Sequence, residues 1–227
     1  MKNKTHYPFI RKIYLYLFAL FGLMVIMAIS LYPKMPEKMA LHWNTKGEVK
    51  GYLSKFWGLF LMPLISIGLF LLYLIIPKID PLKKNIEKFR KYFDRFIILL
   101  FLFLFYLYLL MIFWNLGLRF DIGKAIIPAL AILFYYCGVL SEKAKRNWFI
   151  GIKTPWTLTS DEVWNKTHQL GSRLFKIIGL IMLLGFILKE YVFWFILVPI
   201  IIVVIYLITY SYFEYQKVQK SKFRGLK

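Results

Sequence analysis

The chain has 227 residues, of which 60% are hydrophobic and 20% aromatic, yet its formal net charge is +20. A soluble domain of this length cannot hide so much apolar surface, and a soluble nucleic-acid binder would not carry long charge-free apolar runs. Composition and charge agree in a membrane, where anionic headgroups and the positive-inside rule gather Lys and Arg into the loops. The single cysteine, Cys137, sits in an apolar run; it allows no intrachain disulfide and no multi-cysteine metal site, and reads as a small packed hydrophobe.

Crossing the hydrocarbon core takes about 20 apolar residues at 1.5 Å each. The first such run, Ile13–Tyr32, follows a basic start (Lys2, Lys4, Arg11, Lys12). It exceeds a signal-peptide apolar region and no A-x-A-like site follows, so it reads as a retained helix.

Pro33 and Pro36 end that helix. The loop from Pro33 to Lys55 is too patterned for a mere connector. Met39–Trp43 reads as a short extended run, and Asn44-Thr-Lys-Gly47 as a turn in which Gly47 is free to take positive φ. His42 is a candidate ligand, proton-sensitive switch or hydrogen-bonding group, with only Glu37 and Glu48 as nearby partners. Trp43 and Tyr52 also suit an interfacial anchor.

Further spans follow at Phe56–Ile76, Phe96–Leu118 and Ala125–Ser141, the last of them short. Pro128 falls inside it, and Ala125 with Ala129 gives a small-xxx-small spacing that permits close helix approach.

The second long loop, Glu142 to Gln169, is rich in Trp and hydroxyl residues. Lys153-Thr-Pro-Trp156 reads as extended or turn, because the residue before Pro avoids the helical region. Thr159-Ser-Asp-Glu162 fits a capping box with Thr159 as N-cap, and Asp161 and Glu162 suit the positive end of the helix that starts there. Val163, Trp164, Thr167, Leu170 and Leu174 share one face at helical spacing, with His168 four residues from Trp164. One reading is an interfacial helix that places Trp148, Trp156 and Trp164 at headgroup level. Others are a docking surface for a cytoplasmic protein, a clamp on the bundle that uses Asn147, Thr154, Asp161 and His168, or a catalytic Asp161–His168 pair, for which no nucleophile or metal partner is evident.

That helix leads into a fifth span at roughly Leu170–Leu188, where Arg173 and Lys176 snorkel; a five-span or re-entrant arrangement is the alternative there. The sixth span is Tyr191–Phe213, with Pro199 inside it. Apart from Arg173 and Lys176, no Asp, Glu, Lys, Arg or His falls within these limits. This counts against proton-coupled transport and against an intramembrane metalloprotease with an H-E-x-x-H motif; a G-x-S-x-G elbow is missing as well. With the N-terminus inside, 23 Lys and Arg fall on the inner side and 8 on the outer, which predicts N-in and C-in.

The run R-N-W-F-I-G-I-K-T-P-W-T-L-T-S-D-E-V-W-N-K-T-H-Q-L-G, from Arg146 to Gly171, resembles the signature of the SdpI family of membrane immunity proteins. The outer run M-P-E-K-M-A-L-H-W-N-T-K-G-E-V-K-G-Y-L-S-K resembles the small module of unknown function that precedes that signature in the family. The resemblance implies protection against a secreted toxic peptide of the SdpC type, and signalling in which a cytoplasmic repressor is sequestered once toxin is bound. Carried over by position, it marks His42, Trp43, Asn44 and Gly47 outside, and Asn147, Gly151, Thr154, Pro155, Trp156, Trp164, Thr167 and His168 inside. Lys153 departs from the family, which more often has Arg there, and Lys cannot make a planar bidentate contact.

The chain is thus expected to be an all-α integral membrane protein. It forms one membrane domain over 1–227, a bundle of about six transmembrane helices with a structured outer loop and an inner interfacial helix. The segments are 1–77 with the outer loop 33–55, then 78–141, then 142–227. The expected function is non-enzymatic immunity or sensing at the cell membrane. No catalytic residue, metal or cofactor is expected, and the partners are membrane lipids, an outer toxin peptide and an inner repressor, with no nucleic acid. The inner partner site adds Trp148, Lys153 and Asp161 to the residues above. The alternative is a membrane enzyme or transporter acting on lipids or peptides.

Overall fold

The computed structural model describes residues 7–44, 47–187 and 192–224. Of the positions used above, Lys2, Lys4, Thr45, Lys46, Leu188, Tyr191 and Lys227 lie outside the described residues. The elements in order are α1 (Tyr7–Leu31), β1 (Lys38–Trp43), β2 (Val49–Ser54), α2 (Lys55–Ile79), α3 (Lys83–Asn115), α4 (Ile122–Lys143), α5 (Pro155–Thr159), α6 (Asp161–Ile187) and α7 (Val192–Arg224).

Among the described residues, five helical stretches are long and apolar enough to cross a membrane: Lys12–Lys34, Lys55–Ile79, Lys83–Asn115, Ile122–Lys143 and Trp194–Ser221. They coincide with the first four and the sixth expected spans. The fifth is the second half of α6, which continues without a break to the edge of the described residues. The short fourth span lies within a 22-residue helix, because Asp121 starts it early by accepting a hydrogen bond from the Lys124 backbone (3.0 Å). The third ends at Asn115, three residues before its expected limit. Gly117 takes φ +104, and the Leu118 and Gly117 amides fold back onto the Phe113 and Trp114 carbonyls, a glycine-terminated stop.

The chain packs as two compact units. The first comprises residues 1–74 and 94–129. Its core is Met24, Ala28, Met35, Met39, Leu59, Tyr108, Met111 and Ile112. The extended run expected at Met39–Trp43 is strand β1, and β2, which the sequence reading did not anticipate, pairs with it antiparallel, with irregularities on either side of His42. Their hairpin is therefore a small sheet in an otherwise helical chain. It is seated by Met39 and Ala40, both fully buried. Gly58 of α2 makes room, since a Cβ there would come within 2.7 Å of the Met39 sulfur.

The second unit comprises residues 75–93 and 130–227. Its helices approach closely at glycines: a Cβ on Gly138 would meet the Ser172 carbonyl at 2.6 Å, and one on Gly179 the Ala131 carbonyl at 2.7 Å. Aliphatic side chains such as Leu180, Leu184, Ile202 and Ile205 are exposed along α6 and α7. That is the expected pattern for lipid-facing helix surfaces.

Candidate functional site

The hairpin is organised by polar residues at its tip and base. The Gly47 amide donates to the Asn44 carbonyl at 3.0 Å and Gly47 takes the expected positive φ, +78. The Asn44 side chain locks it, accepting from the Glu48 amide (2.9 Å) and donating to the Glu48 carboxylate (2.8 Å). At the base, Lys55 pairs with Glu37 at 2.6 Å. Glu37 and Glu48 are thus engaged elsewhere, and the exposed His42 side chain forms no hydrogen bond or ion pair among the described residues. Trp43 packs edge-on against Trp114 with centroids 5.5 Å apart.

Asn115 holds the hairpin to α3. Its Oδ1 accepts from the Ala40 amide (2.8 Å) and its Nδ2 donates to the Ala40 carbonyl (3.0 Å) and to Met111 (2.8 Å). The side chain acts as a one-residue third strand.

The 142–169 segment folds on three buried polar centres. Asn147, fully buried, uses its whole amide. Nδ2 donates to the Lys145 and Ile150 carbonyls (2.8 Å each), and Oδ1 accepts from the Phe149 (2.9 Å) and Ile150 (2.6 Å) amides. Asp80, 2% exposed, accepts from the Leu82 amide (2.6 Å) and the Trp148 amide (2.9 Å). Asn85 donates to the Arg146 carbonyl (2.9 Å).

His168 is the second centre. Its Nε2 accepts from the Ile152 amide (2.9 Å), which places the ring proton on Nδ1, donating to the Trp164 carbonyl (2.9 Å). Burial holds the imidazole neutral, pushing its pKa down to about 4 against the opposing pull of the Trp164 bond. The ring stacks on Trp164 with centroids 3.9 Å apart and planes 16° from parallel. The Trp164 indole donates to the Ala144 carbonyl (3.0 Å). Gly151, at φ +121, lies so close that a Cβ would sit 2.4 Å from His168 Nε2.

Thr154 is the third. It caps α5 in a reciprocal capping box with Thr157, and Pro155 occupies the first turn. Its hydroxyl lies 3.0 Å from that of Ser211 on α7, and Trp156 packs edge-on against Tyr212 (5.2 Å). Lys166 bridges Glu162 (2.9 Å) and Glu214 (3.1 Å).

Three sequence readings are corrected here. The box at Thr159 does not form. The cap of α6 is Ser160, whose hydroxyl accepts from the Val163 amide (3.3 Å), while Thr159 turns back onto Pro155; Thr154 and Thr157 form the box instead, because Pro155 starts a separate helix. Trp164 is no headgroup anchor: it is fully buried, and only Trp148 of the three tryptophans is about half exposed, at 52%. No Asp161–His168 pair exists. Exposed Asp161 takes Arg146 (2.7 Å), while His168 bonds only backbone. Lys153 donates to the Phe149 carbonyl (3.1 Å), a contact that asks for no planar fork. Thr167 is fully buried, and its hydroxyl has no partner among the described residues.

Asp80, Asn85, Asn115 and Ser211 were not singled out from sequence. The Asp80-Pro81 pair is a local turn signal; the long-range bonds of the other three carry none. Among the described residues no group of three or more His, Cys, Asp or Glu is arranged to hold a metal.

Residues 143–211 match the SdpI/YfhL protein family. This region begins at the end of α4 and closes on Ser211, so it includes the Asn147, His168 and Thr154 centres together with the residue that meets Thr154 from α7. Residues 19–67 match a domain of unknown function, DUF1648, which covers the hairpin with parts of α1 and α2. Immunity protein SdpI of Bacillus subtilis (strain 168) is 25% identical over 196 residues, or 86% of this chain and 92% of that protein. No solved structure matches the chain. The helices and this similarity make it a multi-pass membrane protein.

Proposed function

We propose that the chain is a membrane immunity protein that protects its cell against a secreted toxic peptide. The observation that carries this reading is the similarity to immunity protein SdpI along nearly the whole of both chains. In this reading the hairpin faces outward and meets the peptide, and the 142–169 segment lies in the cytoplasm. The 23-to-8 division of Lys and Arg supports that orientation. An even number of crossings then requires α6 to span the membrane as the fifth of six helices.

The architecture supports binding over catalysis. In each patterned segment the main buried amide or imidazole groups are spent on backbone bonds that fold it: Asn147 and His168 on the inner side, Asn115 on the outer. The exposed residues of the 142–169 segment include Trp148, Phe149, Lys153 and Pro155, an aromatic and cationic group suited to a protein contact. We assign them to a cytoplasmic repressor that responds to the toxin-bound state.

The test is protection. A sensitive host expressing the chain is challenged with culture fluid from a strain secreting an SdpC-type peptide, and survival is compared with the empty vector. Survival that does not rise, with the protein present in the membrane, removes the immunity reading.

A further inference from the structure

The hairpin is a sheet of two strands, closed on one edge and open on the other. In an antiparallel pair the residues alternate. One opposed pair exchanges bonds across the ladder, and the next turns its N–H and C=O groups out to either edge. Two observations fix the alternation. The Ala40 amide and carbonyl both go outward, to Asn115, and Ala40 stands opposite Tyr52. The Lys55 amide bonds inward, to the Glu37 carbonyl (2.9 Å), so the neighbouring pair Lys38–Ser54 also faces out. The far edge of β2 thus presents the Tyr52 N–H and C=O and the Ser54 N–H. None of the three has a partner among the described residues. No residue of β2 is buried. A Cβ on Gly51 would meet His42 of β1 and nothing else within 4 Å.

We propose that this edge takes an extended, acidic segment of a peptide as a third strand, bonded through its backbone to Tyr52 and Ser54. The proposal deepens the immunity reading and rests on it for the source of the peptide and the side from which it arrives. Backbone chemistry selects the class of occupant. The edge asks for two acceptors and one donor in strand register, which an extended backbone supplies. An acyl ester brings carbonyls but no amide for the Tyr52 carbonyl. Charge selects within the class. Among its described residues the hairpin region carries Lys34, Lys38, Lys50 and Lys55 against Glu37 and Glu48. A second copy added edge to edge would bring two such cationic hairpins together, and a lysine on an edge strand works against that pairing. Lys50 stands on β2 itself. Its contact with Glu48 is 3.5 Å long with both side chains 60% exposed, so a carboxylate on an added strand can compete for it. Tyr52, 57% exposed, offers its ring to an apolar neighbour on the same strand.

The experiment uses the full chain, purified in lipid nanodiscs with ¹⁵N-labelled tyrosine. The amide resonance missing from Tyr52→Phe is assigned to Tyr52. Three pentapeptides with blocked ends are titrated: TEVET, TKVKT, and TEVET with its three central amides N-methylated. The expected result is a saturable downfield shift of the Tyr52 amide with TEVET, an apparent Kd at least about fivefold higher for TKVKT, and no shift with the N-methylated peptide. Ser54→Pro removes one edge amide and no ladder bond, and should raise the Kd for TEVET at least about threefold. Lys50→Glu, a change at an exposed side chain, serves where that variant does not fold and should reverse the order of the two charged peptides. A Tyr52 amide unmoved up to about 5 mM TEVET overturns the proposal. So does an equal shift with the N-methylated peptide, which makes the contact one of side chains. So does a shift without peptide between nanodiscs that hold one chain and two, which gives the edge to a second copy. Toxin challenge of the same proteins separates the two readings. Protection by the wild type with no amide response leaves immunity standing and the strand edge refuted. An amide response without protection leaves the strand edge standing and immunity refuted.

Discussion

Asn115 holds Ala40 by both of its backbone groups, accepting from its amide at 2.8 Å and donating to its carbonyl at 3.0 Å. The two residues are 75 apart in sequence. Through this bracket a helix end serves as the edge partner of β1, and the hairpin is fixed in orientation as well as position.

Asn115→Leu should therefore loosen the hairpin without unfolding the helices. The lost bonds and the stranded Ala40 groups cost about 1–3 kcal/mol. Hydrogen exchange reads this directly: amides of β1 and β2 should exchange faster by roughly 5- to 100-fold for that cost, with α4–α7 amides unchanged. Uniform acceleration would mean that Asn115 supports the whole fold rather than the hairpin.

Gly151→Ala should be the most damaging single-methyl change in the 142–169 segment. It imposes a Cβ on φ +121 and places it 2.4 Å from His168 Nε2. Strain and displacement of the imidazole together should cost roughly 2–4 kcal/mol. Thermal unfolding in detergent should show this as a clear fall in Tm. Gly47→Ala, at φ +78 but with open space around its Cβ, should cost less.

The contrast between these residues and their neighbours shows what was legible in the sequence. Apolar runs of spanning length announce helices because the bilayer leaves the backbone no other local solution. Gly47 and the Asn44 turn were legible because turn chemistry is local. The position of the α6 cap was missed by one residue, since Thr159 and Ser160 are both good caps and only the separate α5 turn decides between them. Whether Trp164 lies at the interface or inside stayed open because helical periodicity gives its face and not its neighbour; the Ala144 carbonyl and the stacked His168 ring make that face interior. Strand β2 was missed because Val49–Ser54 sets Lys50 and Gly51 side by side between its few apolar residues and so lacks a period of two, and its pairing depends on how β1 is seated. Asp80, Asn115 and Ser211 act through bonds to distant backbone or side chains, for which a single sequence offers no pattern.

Thr167→Val separates structural from functional value. The hydroxyl is buried without a partner, so an isosteric methyl should leave stability equal or raise it by up to about 1–2 kcal/mol. If Thr167 serves only packing, toxin protection will be unchanged. Lost protection in a protein of equal or higher Tm would assign the hydroxyl to a bound partner.

His168 should make stability depend on pH. Its folded pKa is pushed down to about 4 from the ordinary 6.5. Between those values the unfolded chain binds more protons than the folded one, so stability rises with pH across this window and is fully present above about 6.5. The contribution lost on going down to pH 4 is about 3 kcal/mol. His168→Gln keeps an acceptor for the Ile152 amide and does not titrate. Its stability should be flatter than wild type between pH 4 and 6.5, measured by denaturation in the same detergent. Identical slopes would place the pH dependence on other groups.

Orientation is the prediction on which the immunity reading most depends. Asn44 is a poor labelling position, because its side chain builds the hairpin turn. Lys50, an exposed side chain in a 3.5 Å pair with Glu48, and exposed Asn165 are better. Lys50→Cys and Asn165→Cys are made singly in a Cys137→Ala background, and intact cells are treated with a membrane-impermeant maleimide. Labelling at 50 alone is expected, since 23 of 31 basic residues then face the cytoplasm and a peptide arriving from outside meets the hairpin first. Labelling at 165 alone inverts the chain and leaves the hairpin out of reach of any secreted peptide. Labelling at both sites puts the two segments on one side, and no signal between them would then need to cross the membrane.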